Sequence, residues 1–327
     1  MNIVHIVISD SFEDREMYAN ELAYAQKNEF NTTLIVSSNI SHKFNSELTL
    51  VEIESFGQQS IYKILKLIFL IRKINPDIVH SHGIKATRVI NIVKTFTSFK
   101  HLTTIHEATK NLKVFDKVDL VIGVSSKVIN NLRVKTKVVS NWWSPFYLNN
   151  DIKKVNEYAL SVGKLEKAKG FDLLIKSWKD INLDLIIVGS GDEYKDLISL
   201  ISSYKLDNKI KIINEVNHEN LVKFYKKASV LLIPSRSEGG PKIALEALNH
   251  EVPVLSTDVG YMSKILPKEF LAKPDNINSL AQLMNTYVDQ IEFFDQSSIF
   301  EYVHHEYSIH KKSTLINEIY EDLLIRS

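Results

Sequence analysis

Cysteine is absent from all 327 residues, which excludes disulfides and thiolate metal sites and fits the cytoplasm. No uninterrupted apolar run reaches the ~18 residues that a membrane-spanning helix needs. The longest candidate, Ile61 to Ile74, is broken by Lys63, Lys66, Arg72 and Lys73. Met1 to Asp10 carries neither a basic segment nor a small-residue cleavage site, so a first β-strand is expected there rather than a signal peptide. An excess of one charge is also missing. The 40 basic and 39 acidic residues leave a formal charge of +1, and no nucleic-acid partner is expected. Nor does any Asp-X-Asp triplet occur, so chelation of a metal by carboxylates at that spacing is not expected.

What is present is ordinary for a globular protein, 44% hydrophobic and 24% charged, and long enough for two domains. Strand-like runs alternate with helical stretches, the pattern of a parallel sheet covered on both faces. In the first half, strands are expected at Ile3–Ile8, Thr32–Ser37, Thr49–Ile53, Asp77–His80, His101–Ile105, Leu120–Val124 and Lys137–Val139. Helices fall near Glu13–Lys27, Ile61–Ile74, Lys85–Phe96 and Ser126–Leu132. The alternation then restarts with strands at Tyr158–Val162, Leu183–Val188, Lys209–Ile213, Val230–Ile233 and Val252–Ser256. Helices near Gly170–Lys179, Glu193–Tyr204, His218–Lys227, Pro241–Asn249 and Asn278–Val288 separate them. The polar stretch Leu148–Lys154 reads as the linker, and Ile309–Ile325 as a final helix with apolar Leu315, Ile316, Ile319, Tyr320 and Leu323.

The segment richest in chemistry follows the apolar run Ala228–Ile233. It carries Glu238, Gly239, Gly240 and Pro241 in a loop, then Lys242, Ile243 and Glu246 on a helix. Proline suits a first helical turn, whose N–H groups are unpaired anyway. The two carboxylates sit at the C-terminal end of a strand, where open α/β sheets bind ligands. Glycines beside them let backbone N–H groups approach a phosphate-bearing, polyhydroxylated substrate.

With Val252–Gly260 behind it, this segment resembles the donor site of the family 4 glycosyltransferases, the large retaining group with the GT-B fold. Their mark is two glutamates separated by seven residues, as Glu238 and Glu246 are. The resemblance implies two doubly wound Rossmann-like α/β domains facing across a cleft, with a C-terminal helix crossing back to the first. The expected bounds are 1–148 for an acceptor domain, 149–308 for a donor domain and 309–327 for the returning helix. It also implies roles. Glu246 would hold the ribose hydroxyls, to which an ionised acceptor bonds strongly, and Glu238 the hydroxyls of the transferred sugar. Lys164 and Lys169, in Gly163–Gly170, match a segment whose arginine and lysine clamp the diphosphate. Lys164 replaces the arginine and lacks its bidentate fork, and Lys167 competes for the same task. Gly189, in the turn Val188–Glu193, would lie near the base. His106, followed by Glu107, would stand near the reacting sugar; His80 and His82 match another family feature, with burial favoured for His80.

Two departures stand out. No glycine occurs in Ser9–Glu16, where the family carries a glycine-rich loop, and Arg15 is the substitute at hand. After Val259 and Gly260 the chain has Tyr261–Lys264 in place of a further glycine and a glutamate. The expected activity is retaining, metal-independent transfer from a UDP- or GDP-linked sugar to a carbohydrate or lipid-linked acceptor, with no cofactor. Surface polysaccharide, lipopolysaccharide or glycolipid assembly is the expected setting. A sugar-nucleotide epimerase or hydrolase of the same fold, or a non-catalytic partner subunit, are the alternatives. The apolar and basic helix at 60–73 is an expected contact with the inner face of the cell membrane, because Leu65 and Phe69 fall off the centre of its core face.

Overall fold

The alternation of apolar runs and amphipathic stretches is what the chain forms. The computed structural model describes residues 1–143, 157–288, 290–291 and 295–325. It divides into two units, Met1–Asn141 with Ile309–Ser327, and Trp142–Ser308. The linker expected at Leu148–Lys154, and with it the division after residue 148, lies outside the described residues.

The first unit runs β1 (Asn2–Val7), α1 (Asp14–Gln26), β2 (Asn31–Ser37), β3 (Thr49–Ile53), α2 (Ile61–Ile74), β4 (Ile78–His82), α3 (Ile84–Val93), β5 (Lys100–Ile105), β6 (Leu120–Gly123), α4 (Ser126–Ile129) and β7 (Thr136–Val138). Its seven strands pair in parallel in the order β3-β2-β1-β4-β5-β6-β7. Ile3, Val4, Ile6 and Val7 are all fully buried, as a strand covered on both faces requires. On α2, Ile64, Leu67, Ile68 and Ile71 pack inward at helical spacing. That helix stops at Asn75, which takes a left-handed φ of 49° and returns its N–H to the Ile71 carbonyl.

The second unit continues with β8 (Tyr158–Val162), α5 (Phe171–Lys176), β9 (Leu185–Val188), α6 (Tyr194–Ser203), β10 (Ile210–Ile213), α7 (His218–Lys227), β11 (Ala228–Ile233), α8 (Lys242–Asn249), β12 (Val254–Thr257), α9 (Met262–Ile265), β13 (Leu271–Ala272), α10 (Ile277–Tyr287) and α11 (Ser297–Glu306). The strand order is β10-β9-β8-β11-β12-β13. Three elements were not expected from the sequence. The two-residue β13 and four-residue α9 are too short to show a period, and α11 buries only Ile299 and Val303. α5 ends sooner than expected; at its end the Ser177 hydroxyl donates to the Leu173 carbonyl, and the Trp178 indole donates to the Leu183 carbonyl just before β9. Pro241 caps α8 in extended geometry instead of opening its first turn.

The last described helix, α12 (Ile309–Ile325), belongs to the first unit. Ile316, Ile319, Tyr320 and Leu323 are buried, while Leu315, expected on the same face, is 40% exposed. Asn317 accepts from Gln26 of α1 at 2.6 Å and donates to Glu29 at 2.7 Å.

In both sheets the direction of strand addition reverses at one place, between β1 and β4 and between β8 and β11. Such switch points leave a crevice outside the carboxyl ends of the two strands, where ligands of open α/β sheets bind.

Candidate active site

In the second unit that crevice is built by the loops after β8 and β11. Gly170 adopts φ +69°, and a Cβ there would lie 2.2 Å from the Pro234 carbonyl oxygen, so only glycine lets the loops close together. The Arg236 N–H donates to the Ala168 carbonyl at 2.7 Å. Across this seam the Lys169 ammonium meets the Glu238 carboxylate at 2.7 Å, and the Ser235 hydroxyl donates to the same oxygen at 2.8 Å. Thr257 of β12 holds the Ser235 carbonyl at 2.6 Å, fixing the loop from behind.

Glu246 lies on α8, buried to 8% exposure, and accepts from the Tyr225 hydroxyl of α7 at 3.1 Å. The sequence placed this carboxylate on the helix behind the loop, and there it is. Lys242 is buried at the start of α8 and Ile243 is half-buried. Gly239 is buried and Gly240 half-buried. At Gly240 a Cβ would stand 2.2 Å from the Tyr261 ring, and Tyr261 donates to the Pro241 carbonyl at 2.9 Å. Tyr261 is a departure from the family pattern, and it fills the space above the double glycine. Gly240 therefore has a packing cause as well as one of ligand access. So has Gly189, where a Cβ would come within 1.9 Å of the Gly163 carbonyl oxygen.

Three cations were candidates for a diphosphate clamp, and the structure separates them. Lys169 is engaged with Glu238, Lys164 is exposed with no partner among the described residues, and Lys167 leans on Asp172 at 3.4 Å. Sequence reasoning assigned nothing to Arg236. Its guanidinium grips Asp172 at 2.7 and 3.0 Å, Asp275 at 2.6 Å and the Lys167 carbonyl at 2.9 Å. Burial alone would raise the Asp172 carboxyl, yet the bonds from Arg236, with Lys167 and Lys176 nearby, hold it well below the usual carboxylate range. Arg236 thus rivets the lysine loop to the glutamate loop. Its place in the loop between Ile233 and Glu238 was the only available signal, because Asp172 and Asp275 are distant in sequence.

The first unit holds the histidines singled out in the sequence. His106, just past β5, is half-buried and meets Tyr18 edge to face at 4.7 Å. Glu107 is exposed. His80 and His82 are buried together with His5, which sequence reasoning left unassigned. These three are the described residues whose ligand atoms come close enough for a metal, within 4.8 Å. Their nitrogens are largely engaged. His80 meets the Tyr320 hydroxyl and Thr104 at 2.7 Å each, and His5 meets Gln26 at 2.8 Å and His82 at 3.1 Å. The rings of His80 and His82 stack at 4.3 Å. This is a hydrogen-bonded core that ties β1, β4 and β5 to α1 and α12, not a vacant ligand set.

Two doubly wound parallel α/β units, each with a switch point, are the arrangement of the GT-B fold. Residues 149–293 match the family model described as Glycosyl transferases group 1. An uncharacterized glycosyltransferase of Methanocaldococcus jannaschii is 28% identical over 300 residues, 85% of this chain and 78% of that one. The amylovoran biosynthesis glycosyltransferase AmsD of Erwinia amylovora is 24% identical over 229 residues, 61% of this chain and 63% of its own length. Among solved structures, Anabaena HepE in complex with UDP and glucose aligns with a TM-score of 0.84 over 98% of this chain and 100% of that one, at 16% identity. That likeness is one of fold.

Proposed function

We propose that the chain is a retaining, metal-independent glycosyltransferase of the family 4 kind, transferring sugar from a UDP- or GDP-linked donor to an acceptor hydroxyl. The observation that carries this reading is the Lys169–Glu238 pair at 2.7 Å beside the buried Glu246. Glu246 accepts the ribose hydroxyls, and Glu238 the hydroxyls of the sugar. Lys169, with Lys164 and the N-terminal turn of α8 at Lys242 and Ile243, receives the charge that gathers on the departing diphosphate. His106 keeps the role the resemblance gives it, contact with the reacting sugar. The leaving phosphate takes the acceptor's proton on the same face, so the protein supplies orientation and electrostatics and needs neither a strong base nor a cofactor. AmsD is named for amylovoran biosynthesis, which supports a carbohydrate or lipid-linked acceptor; the proposed place of work is the cytoplasm, at the inner face of the membrane.

Calorimetric titration with UDP and GDP tests the assignment. Glu246→Ala should weaken the nucleotide that binds wild type by about tenfold or more, since a hydrogen bond to a charged group is made before any chemistry. Glu238→Ala should leave that affinity nearly intact and cut turnover, and transfer should persist in excess EDTA. Unchanged nucleotide affinity in the Glu246 variant would sink the donor site. Release of free sugar without any acceptor would make the chain a hydrolase.

A further inference from the structure

The switch point of the first sheet, between β1 and β4, opens on a cavity of about 840 Å³ lined by Arg15, Lys63, Lys85 and Arg88 and by no carboxylate. The cations are held there by the fold. Gly83 takes φ +84° at the start of α3, and a Cβ on it would stand 2.7 Å from Arg15 Cδ, so the missing side chain is the space through which Arg15 reaches the cavity. Glu16, fully buried, grips the Arg15 guanidinium at 2.7 Å and accepts the Glu13 N–H at 3.0 Å. Lys85 donates to Ser55 at 2.8 Å.

Charge is not balanced. Asp10 lies 3.4 Å from Lys85 and Glu54 lies 2.7 Å from Lys63, both acids well exposed, and Glu16 offsets Arg15. Half-buried Arg88 has no partner among the described residues, leaving one guanidinium in excess. Two helices also start at this wall. Neither Ser60 before α2 nor Gly83 before α3 caps its helix with a side chain, so the first-turn N–H groups and the positive helix ends add to the field. The cavity is larger than a phosphate requires, and Phe56 and Ile84 give it an apolar wall for whatever the anion is attached to.

We propose that this cavity binds a phosphate or diphosphate group carried by the acceptor. The inference rests on the glycosyltransferase reading above and gives its acceptor a chemical class. Arg88 forms the primary contact, Lys85 and the α3 N-terminus the second, and Arg15 stands where the family keeps a glycine loop.

Inorganic pyrophosphate, titrated calorimetrically into the full chain saturated with its nucleoside diphosphate, is the probe. Arg88→Gln and Lys85→Gln should each weaken it about tenfold or more, Arg88→Lys less than Arg88→Gln, and Lys169→Gln not at all. Thermal melts of the variants establish that they are folded. Absence of pyrophosphate binding to wild type, equal affinity in both cavity variants, or loss confined to Lys169→Gln would overturn the site. Competition between pyrophosphate and UDP or GDP would assign the cavity to the donor's diphosphate and overturn the proposal. Should neither nucleotide bind while pyrophosphate affinity still depends on Arg88, the donor reading fails and the anion site stands.

Discussion

At the scale of single residues, the catalytic geometry proposed here depends on a position without a side chain. Gly170 combines a left-handed backbone with a 2.2 Å approach of its absent Cβ to the Pro234 carbonyl oxygen. Gly170→Ala meets both a conformational cost and a clash, and should destabilise the second unit by about 2–4 kcal/mol. It should also part Lys169 from Glu238, so turnover falls further than nucleotide affinity. A wild-type melting temperature with unchanged turnover would show that the two loops do not need their close seam. Glu238, Glu246 and Lys169 were legible in the sequence because each belongs to a continuous motif with a glycine or proline marking its backbone. Arg236, Tyr225 and the Arg15–Arg88 cavity were not, since their partners come from loops dozens of residues away. Glycines were legible as special but not in their cause: Gly189 and Gly240 read as room for a ligand, and the structure gives each a neighbouring carbonyl or ring as well.

At the scale of elements, long periodic segments were readable nearly to the residue. α2, α7 and α12 have the expected bounds, as do β3 and β8. The periodicity of α2 also placed Leu65 and Phe69 off its core face. Both are exposed, and Ile61 and Tyr62, which the sequence reading did not single out, join them at 57–74% exposure in an apolar strip flanked by Lys66 and Lys73. Apolar side chains next to lysines suit an anionic bilayer surface, and this is the face we propose meets the membrane. Vesicle co-sedimentation checks it. The wild type should pellet with vesicles containing anionic lipid, and Leu65→Ser with Phe69→Ser should lower the bound fraction several-fold without lowering the melting temperature. Equal recovery in the supernatant with and without anionic lipid would leave the strip as plain surface.

At the scale of the whole molecule, the two units should respond unequally to acid. Burial lowers His5 from 6.5 to about 4 and His101 to about 3, and it pushes His80 and His82 well below their ordinary value. All four lie in the first unit, whereas His250, lowered to about 4, lies in the second. An unfolded chain takes up these protons near pH 6.5 and the folded one only near 4 or lower, so the unfolded state holds more protons in between. Stability is complete above pH 6.5 and falls as the pH drops toward 4, each histidine adding a slope of up to about 1.4 kcal/mol per pH unit. Trp142, Trp143 and Trp178, all 3 tryptophans of the chain, sit in the second unit. Circular dichroism should therefore report acid unfolding at a higher pH than tryptophan fluorescence does, and coincident curves would contradict the assignment. The order in which the chain is made imposes a further asymmetry. The first unit needs α12, whose Tyr320 and Asn317 close over His80 and Gln26. On the ribosome those polar groups and the apolar face of α1 stay uncovered while the 167 residues Trp142–Ser308 are synthesised, so the second unit can mature before the first is finished. A stop codon anywhere after Ser308 but before Tyr320 would thus spare the second unit and leave the first, made before it, incomplete.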